Sequence, residues 1–341
     1  MMDSRELNEI ANAIVADNKG VLAADESTGT ITKRFDSIGV DSTEENRRAY
    51  RNLLFTTPGF EEYVGGVILY DETIRQAADD GTPFPELLVG KGVVPGIKVD
   101  TGAQDLAGYP GEKVTEGLDG LRGRFAEYHA LGARFSKWRA VITIGDGIPT
   151  DACLHVNAHA LARYAALSQE AGIVPIVEPE VLMDADNSIE RCREVTSETL
   201  RLVFDELERQ GVAHFLPEIT MFGLSSIPSS ATQATSAQVA EQTVECFHER
   251  VPGTVPGIVF LSGGQSEVEA TTNLDAINKR GGPWPLSFSY GRALQASALE
   301  KWGGDAASVE AGQTAFLHRA RMNALAAAGD WSADVEQAVT A

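Results

Sequence analysis

The 341-residue chain is 43% hydrophobic, has three cysteines and carries a formal net charge of −21. That composition suits a globular core, and a field of this sign argues against nucleic acid or an anionic membrane surface as a main partner. No run approaches the roughly 18 apolar residues of a membrane span. Met1 to Glu6 shows no basic-then-apolar leader pattern, so a cytoplasmic location is expected. Cys153, Cys192 and Cys246 lie too far apart for a metal or redox motif and are expected to be reduced.

Residues 1–18 read as an N-terminal helix. Eight apolar, strand-like runs follow: Val21 to Asp25, Gly65 to Asp71, Gly96 to Asp100, Arg134 to Arg139, Ile173 to Glu180, His214 to Phe222, Gly257 to Gly264 and Leu286 to Arg292. Helical sequence separates them. Thr43 is a plausible cap for a helix opening at Glu44, and the later intervals hold Asp151 to Ala171, Ile189 to Gln210, Ser236 to Arg250 and Ser266 to Lys279. Residues 308–328 read as a C-terminal helix and 330–341 as a short tail. Strands alternating with helices, without a Pro-, Gly- or Ser-rich linker, predict one α/β domain over 1–341, a (β/α)8 TIM barrel. A doubly wound open sheet competes. No Gly-x-Gly-x-x-Gly follows the first strand, which weakens a dinucleotide-binding reading.

Three of the runs carry two charges spaced two apart: Lys98 and Asp100, Lys137 and Arg139, Glu178 and Glu180. Residues i and i+2 of a strand share a face, and charges on a buried face are costly unless paired or at work. In a parallel barrel the active site lies at the carboxyl ends of the strands. Asp25, Lys98, Asp100, Lys137, Arg139, Glu178 and Glu180 are expected to meet there. The last two strands end in Leu261-Ser262-Gly263-Gly264 and Ser289-Tyr290-Gly291-Arg292. Small residues, free backbone N–H groups and a guanidinium at this place suit a phosphate. Lys33 and Arg34, with Ser27 and Thr30, can hold a second anionic group. Two anion sites on opposite sides of a cluster of acids and amines suggest a bisphosphorylated small molecule. His155 and His159 are spaced i, i+4, but no Glu between them and no obvious third ligand completes a zinc site, so no metal is expected.

These segments have company. Leu22-Ala23-Ala24-Asp25-Glu26-Ser27-Thr28-Gly29, Gly96-Ile97-Lys98-Val99-Asp100, Lys137-Trp138-Arg139, Ile173 to Glu180, Leu261 to Glu267 and Phe288 to Gln295 resemble class I fructose-bisphosphate aldolase, in order and over nearly the whole chain. The resemblance implies a barrel that cleaves fructose 1,6-bisphosphate reversibly into dihydroxyacetone phosphate and glyceraldehyde 3-phosphate, in glycolysis and gluconeogenesis, with no metal or other cofactor. A lysine would attack the substrate ketone, and the resulting iminium would be the electron sink for carbon–carbon cleavage. Asp25 would assist proton transfer at the cleaved bond. Glu178 would be the acid/base of iminium formation, with Lys137 and Glu180 beside it. Lys98 and Arg139 would shape the field and bind anions. Leu261, Ser262, Gly263, Gly291 and Arg292 would hold one phosphate, with Ser27, Lys33 and Arg34 near the other. The family is commonly tetrameric, which implies a homo-oligomer.

The chain departs from the family where the sixth strand carries the iminium lysine in a Leu-Leu-Lys-Pro-Asn-Met pattern. Here the stretch reads Phe215-Leu216-Pro217-Glu218-Ile219-Thr220-Met221-Phe222-Gly223-Leu224-Ser225, and no lysine lies between Lys137 and Lys279. Three readings stay open. Lys137 forms the imine, its pKa lowered by Arg139 and Lys98; or the protein binds phosphosugars without cleaving them; or the segment has been altered in an otherwise ordinary aldolase. The chain also ends without the tyrosine that often closes the family's tail, its last tyrosine being Tyr290.

Overall fold

The computed structural model describes residues 4–183, 187–221 and 233–338. Ten strands are present among them. They are β1 (Gly20–Ala23), β2 (Val64–Leu69), β3 (Val94–Lys98), β4 (Gly102–Asp105), β5 (Lys113–Glu116), β6 (Phe135–Ile142), β7 (Val174–Val181), β8 (Leu216–Ile219), β9 (Ile258–Phe260) and β10 (Leu286–Tyr290). Eight close a parallel barrel in the order β1, β2, β3, β6, β7, β8, β9, β10 and back to β1. Closure excludes the open sheet. The barrel strands bury both faces, which is why they read as apolar runs rather than alternating ones; all six residues of β2 are buried.

The predicted end of the sixth run, Phe222, lies outside the described residues, as do 339–341 of the tail. Sequence patterning missed β4 and β5. They form an antiparallel hairpin outside the barrel, largely exposed and polar, so no buried stripe announces them. The helices start where capping chemistry places them. Thr43, Thr150 and Ser188 each accept from the backbone N–H three residues on, and Thr235/Gln238 and Ser266/Glu269 are full capping boxes.

Two end segments decide how the barrel is used. The helix Ser4–Val15 lies across the amino end, where Leu7, Ala11 and Ile14 pack with Ile68, Phe135, Ile176 and Leu216. The approach is close enough that a Cβ on Gly65 would stand 2.2 Å from the Ile14 carbonyl oxygen. The 330–341 segment is more than a tail. Ala333–Ala338 is helical, Trp331 is buried, and Glu336 accepts from Trp331 Nε1 at 2.9 Å and from the Arg319 guanidinium. Acid–base clasps of this kind were invisible to hydrophobic patterning.

Candidate active site

The carboxyl end of the barrel opens into a cleft of about 250 Å³. The strands deliver their charges to it as spacing predicts, with Lys98 paired in register to Lys137 and Arg139 to Glu178 on neighbouring strands. At its floor Lys137 Nζ lies 3.3 Å from Glu178, 3.4 Å from Glu218 and 3.6 Å from Asp25. All four side chains are nearly enclosed. Nearer the mouth, Lys98 is ion-paired with Asp100 and Arg139 with Glu180.

This arrangement corrects one expectation. Arg139 and Lys98 do not bring the Lys137 pKa down. Burial acts to lower it, but Asp25, Glu178 and Glu218 together outweigh burial and Arg139, and hold the amine well above its ordinary value. Arg139 and Lys98 are each answered by a carboxylate of their own. Three acids around one ammonium cannot all stay ionised in a low dielectric, so protons are shared. Burial pushes the Glu178 carboxyl well up against the pull of Lys137, with Glu218 and Glu180 adding to the rise. Burial likewise pushes Glu218 up to about 7 against Lys137, with Asp25 reinforcing it.

The opposite wall carries glycine turns, backbone N–H groups and a guanidinium, the groups that an anion site uses. Leu261, Ser262 and Gly263 follow β9, and Gly291 and Arg292 follow β10; all five line the cleft. Gly263 has φ +53°, and a Cβ there would meet Met183 Sδ at 2.2 Å, so the turn requires glycine. Gln265 braces the loop, donating to the Ser262 carbonyl at 3.0 Å and accepting from Asn273 at 2.8 Å. The helix Arg292–Trp302 begins at Gly291 with no side-chain cap, which leaves its first N–H groups to a ligand. Arg292 donates to the Gly263 and Gln265 carbonyls at 3.2 and 3.3 Å. Among the described residues it is the cation of the cleft that no carboxylate neutralises, since Arg34 is paired with Glu26. Arg292→Ala is expected to weaken binding of dihydroxyacetone phosphate by about 30-fold, the loss of roughly 2 kcal/mol of charge-assisted hydrogen bonding, measured by calorimetry.

Ser27 and Arg34 also line the cleft, but Lys33 is exposed and does not. Arg34 does not face the Gly291 loop from across the pocket. Its Nη2 would lie 3.4 Å from a Cβ on Gly291, because β1 and β10 are barrel neighbours. The cations on the other side are Lys98 and Arg139. Sequence reasoning passed over three residues here: Glu218, Ser289 and Glu26. All three line the cleft, the first two from β8 and β10. Glu26 anchors Arg34, Arg51 and Gln295 beneath the wall. A lone acid inside an apolar run was the available signal for Glu218. Among the described residues, no group of three or more His, Cys, Asp or Glu could hold a metal ion. His155 and His159 bond instead to Asp151 and Glu206 on exposed helix faces.

Comparison with known proteins agrees with this geometry. The family model for fructose-bisphosphate aldolase class-I matches residues 6–341. A probable fructose-bisphosphate aldolase class 1 of Xanthomonas campestris is 54% identical over 335 residues, covering 97% of this chain and 99% of the relative. Fructose-bisphosphate aldolase 6, cytosolic, of Arabidopsis thaliana is 50% identical over 333 residues, 96% of this chain and 92% of the relative. The solved fructose-bisphosphate aldolase of Plasmodium falciparum superposes with a TM-score of 0.94 at 45% identity, covering 96% of this chain and 95% of that one. With its closed parallel barrel, its cluster of acids and amine, and its match from end to end, the chain belongs to the class I fructose-bisphosphate aldolase family.

Proposed function

We propose that the protein catalyses the reversible aldol cleavage of fructose 1,6-bisphosphate to dihydroxyacetone phosphate and glyceraldehyde 3-phosphate, with Lys137 as the amine that forms the iminium. The observation that carries this is Lys137 itself, buried at the cleft floor within 3.6 Å of three carboxylates. No other lysine lies between it and Lys279 in sequence, and Lys98 is committed to Asp100. An amine in such company can lose and regain protons quickly, which iminium chemistry demands at several points.

The ketone carbon would sit above Lys137 Nζ, with one phosphate on the Ser262–Gly263 and Gly291–Arg292 loops. Arg34 and Ser27 would support that phosphate, and Lys98 and Arg139 would meet the other. Glu178, whose carboxyl burial holds well above its ordinary value, gives its proton to the departing hydroxyl as the iminium forms. Asp25, the acid of the cluster nearest the mouth, takes the proton of the hydroxyl on the carbon being released. The electron pair of the broken bond passes to the iminium and leaves an enamine, which is then protonated and hydrolysed. Glu180 fixes Arg139, and Asp100 fixes Lys98, so their charges stand in place before substrate arrives. A protein that only bound phosphosugars would gain nothing from three buried acids around an amine, each costly to keep.

The experiment is borohydride reduction in the presence of dihydroxyacetone phosphate, followed by peptide mapping. A stable adduct on Lys137 is expected. An adduct elsewhere, or none while binding persists, overturns the assignment. We also place the protein in the cytoplasm as a homo-oligomer. The cytosolic name of the plant relative and the family's usual assembly support this, and no described helix is long and apolar enough to cross a membrane.

A further inference from the structure

The reaction as laid out leaves one acid of the floor without a task. Glu218 stands on β8 and is fully buried. Its Oε1 accepts a hydrogen bond from Lys137 Nζ at 3.4 Å. Asp25, at 3.6 Å, is beyond hydrogen-bond reach, and Glu178 Oε2, at 3.3 Å, accepts no hydrogen bond, so Glu218 is the carboxylate that faces an N–H of the ammonium. Its Oε2 is buried beside the Ser289 hydroxyl, which helps to stabilise the carboxylate although neither atom makes a well-formed hydrogen bond. Burying an ionisable group half-satisfied is expensive, and a leucine of similar size would pack there without that cost. An acid kept in such a place, touching the one group that must change protonation, has a chemical use.

Resting on the reading of Lys137 as the amine, we propose that Glu218 is a further catalytic residue, the base that takes a proton from the Lys137 ammonium and frees its lone pair to attack the ketone. The bookkeeping closes. The ammonium has three protons and the iminium one. The N–C bond forms as the carbonyl π pair moves to oxygen. The two protons shed by nitrogen finish on that oxygen, one by way of Glu218 and one by way of Glu178, and it leaves as water. Both acids end as they began. The division of labour follows from placement. Glu178 lies on β7 beside Glu180 and Arg139 with its carboxyl held well above the ordinary value by burial, whereas Glu218 is pushed up to about 7. The charged groups facing Glu218 are Lys137 from β6, Glu178 from β7 and Asp25 just beyond β1. Arg139, Glu180 and Lys98 complete the cleft toward the mouth.

A passive counter-ion and a base predict opposite signs. Glu218 is one of three carboxylates that hold the proton on Lys137. If it did nothing else, Glu218→Gln would ease deprotonation and speed imine formation. As the base, its loss must slow it. The measurement is the rate of borohydride-trapped adduct on Lys137 with dihydroxyacetone phosphate, across pH, with affinity checked by calorimetry. Glu218→Gln is expected to slow trapping about 100-fold at pH 7. It should also erase a fall in the wild-type rate as pH drops below about 7, where the carboxylate is protonated and can accept nothing. Glu218→Asp, which keeps the charge but draws it back, should recover part of the rate. Should the glutamine variant lose affinity, the aspartate variant carries the test: slowed trapping at unchanged affinity is expected, and wild-type trapping refutes the role. Unchanged or faster trapping in Glu218→Gln, with a wild-type adduct on Lys137, removes Glu218 alone. No wild-type adduct on Lys137 removes the amine assignment and this proposal together.

Discussion

Lys137→Met is expected to abolish cleavage: with Lys137 as the proposed amine, kcat falls on the order of 10⁵-fold, because the covalent route itself is lost. Steady-state assay with the bisphosphate, beside mapping of the borohydride product, measures it. Dihydroxyacetone phosphate should still bind, since the phosphate loops and Arg292 are untouched. The same variant has a stability signature. Removing the ammonium leaves three buried acids without their counter-charge, a change that typically costs about 3–5 kcal/mol. The acids escape by taking up protons, so the native state of the variant binds more protons than its unfolded chain above the ordinary glutamate range. Stability then falls as pH rises. The deficit in melting temperature against wild type is therefore smallest near pH 5 and widest near pH 8. In wild type the native pKa of Lys137 is raised, so its stabilising contribution is full below the ordinary lysine value and fades only as pH climbs through the native one. A variant that retains even a hundredth of the activity would move the amine elsewhere.

Glu26→Ala is expected to be the most damaging change behind the binding wall. Glu26 accepts from Arg34 and Arg51 and from Gln295 at 3.1 Å, while Gln295 also donates to the Ala23 carbonyl at 2.8 Å. Arg51 is only 3% exposed, so losing the carboxylate strands a buried guanidinium. About 4 kcal/mol of stability should go, a drop of about 6 °C in melting temperature for a chain of this length. Burial works to raise the Glu26 pKa, but Arg34 and Arg51 prevail and hold it below the ordinary glutamate value. Its contribution is thus complete above that ordinary value and lost as pH falls through the native one. Calorimetric melts of both proteins should therefore converge in acid. Substrate affinity should fall as well, since Arg34 is held beside Gly291 by this same carboxylate. Equal melting temperatures at pH 7 would show the network to be idle.

The barrel was legible because its eight strands are apolar on both faces, three of them carrying charges spaced two apart. Lys98, Lys137, Arg139, Glu178 and Glu180 converge because strand parity allows nothing else once the sheet closes. Protonation was not legible. Sequence reasoning counted the cations flanking Lys137 and took them as its neighbours, whereas Asp100 and Glu180 absorb Lys98 and Arg139 and the acids of β7, β8 and the end of β1 surround the amine. Which charge answers which is a property of three dimensions. Glu218 was less legible, since it stands alone in its run with no second charge two residues away to mark its face. The hairpin of β4 and β5 escaped because most of its residues are exposed or half-buried and carry no apolar periodicity to read.

The helix Ser4–Val15 covers the amino end of the barrel, so among the described residues the way to Lys137 is the cleft at the carboxyl end. With the proposed imine on Lys137, the fragment that is not bound to the amine leaves by that side first and the bound one follows after hydrolysis. A segment that never approaches the chemistry thereby leaves the traffic of substrate and products to the opposite face.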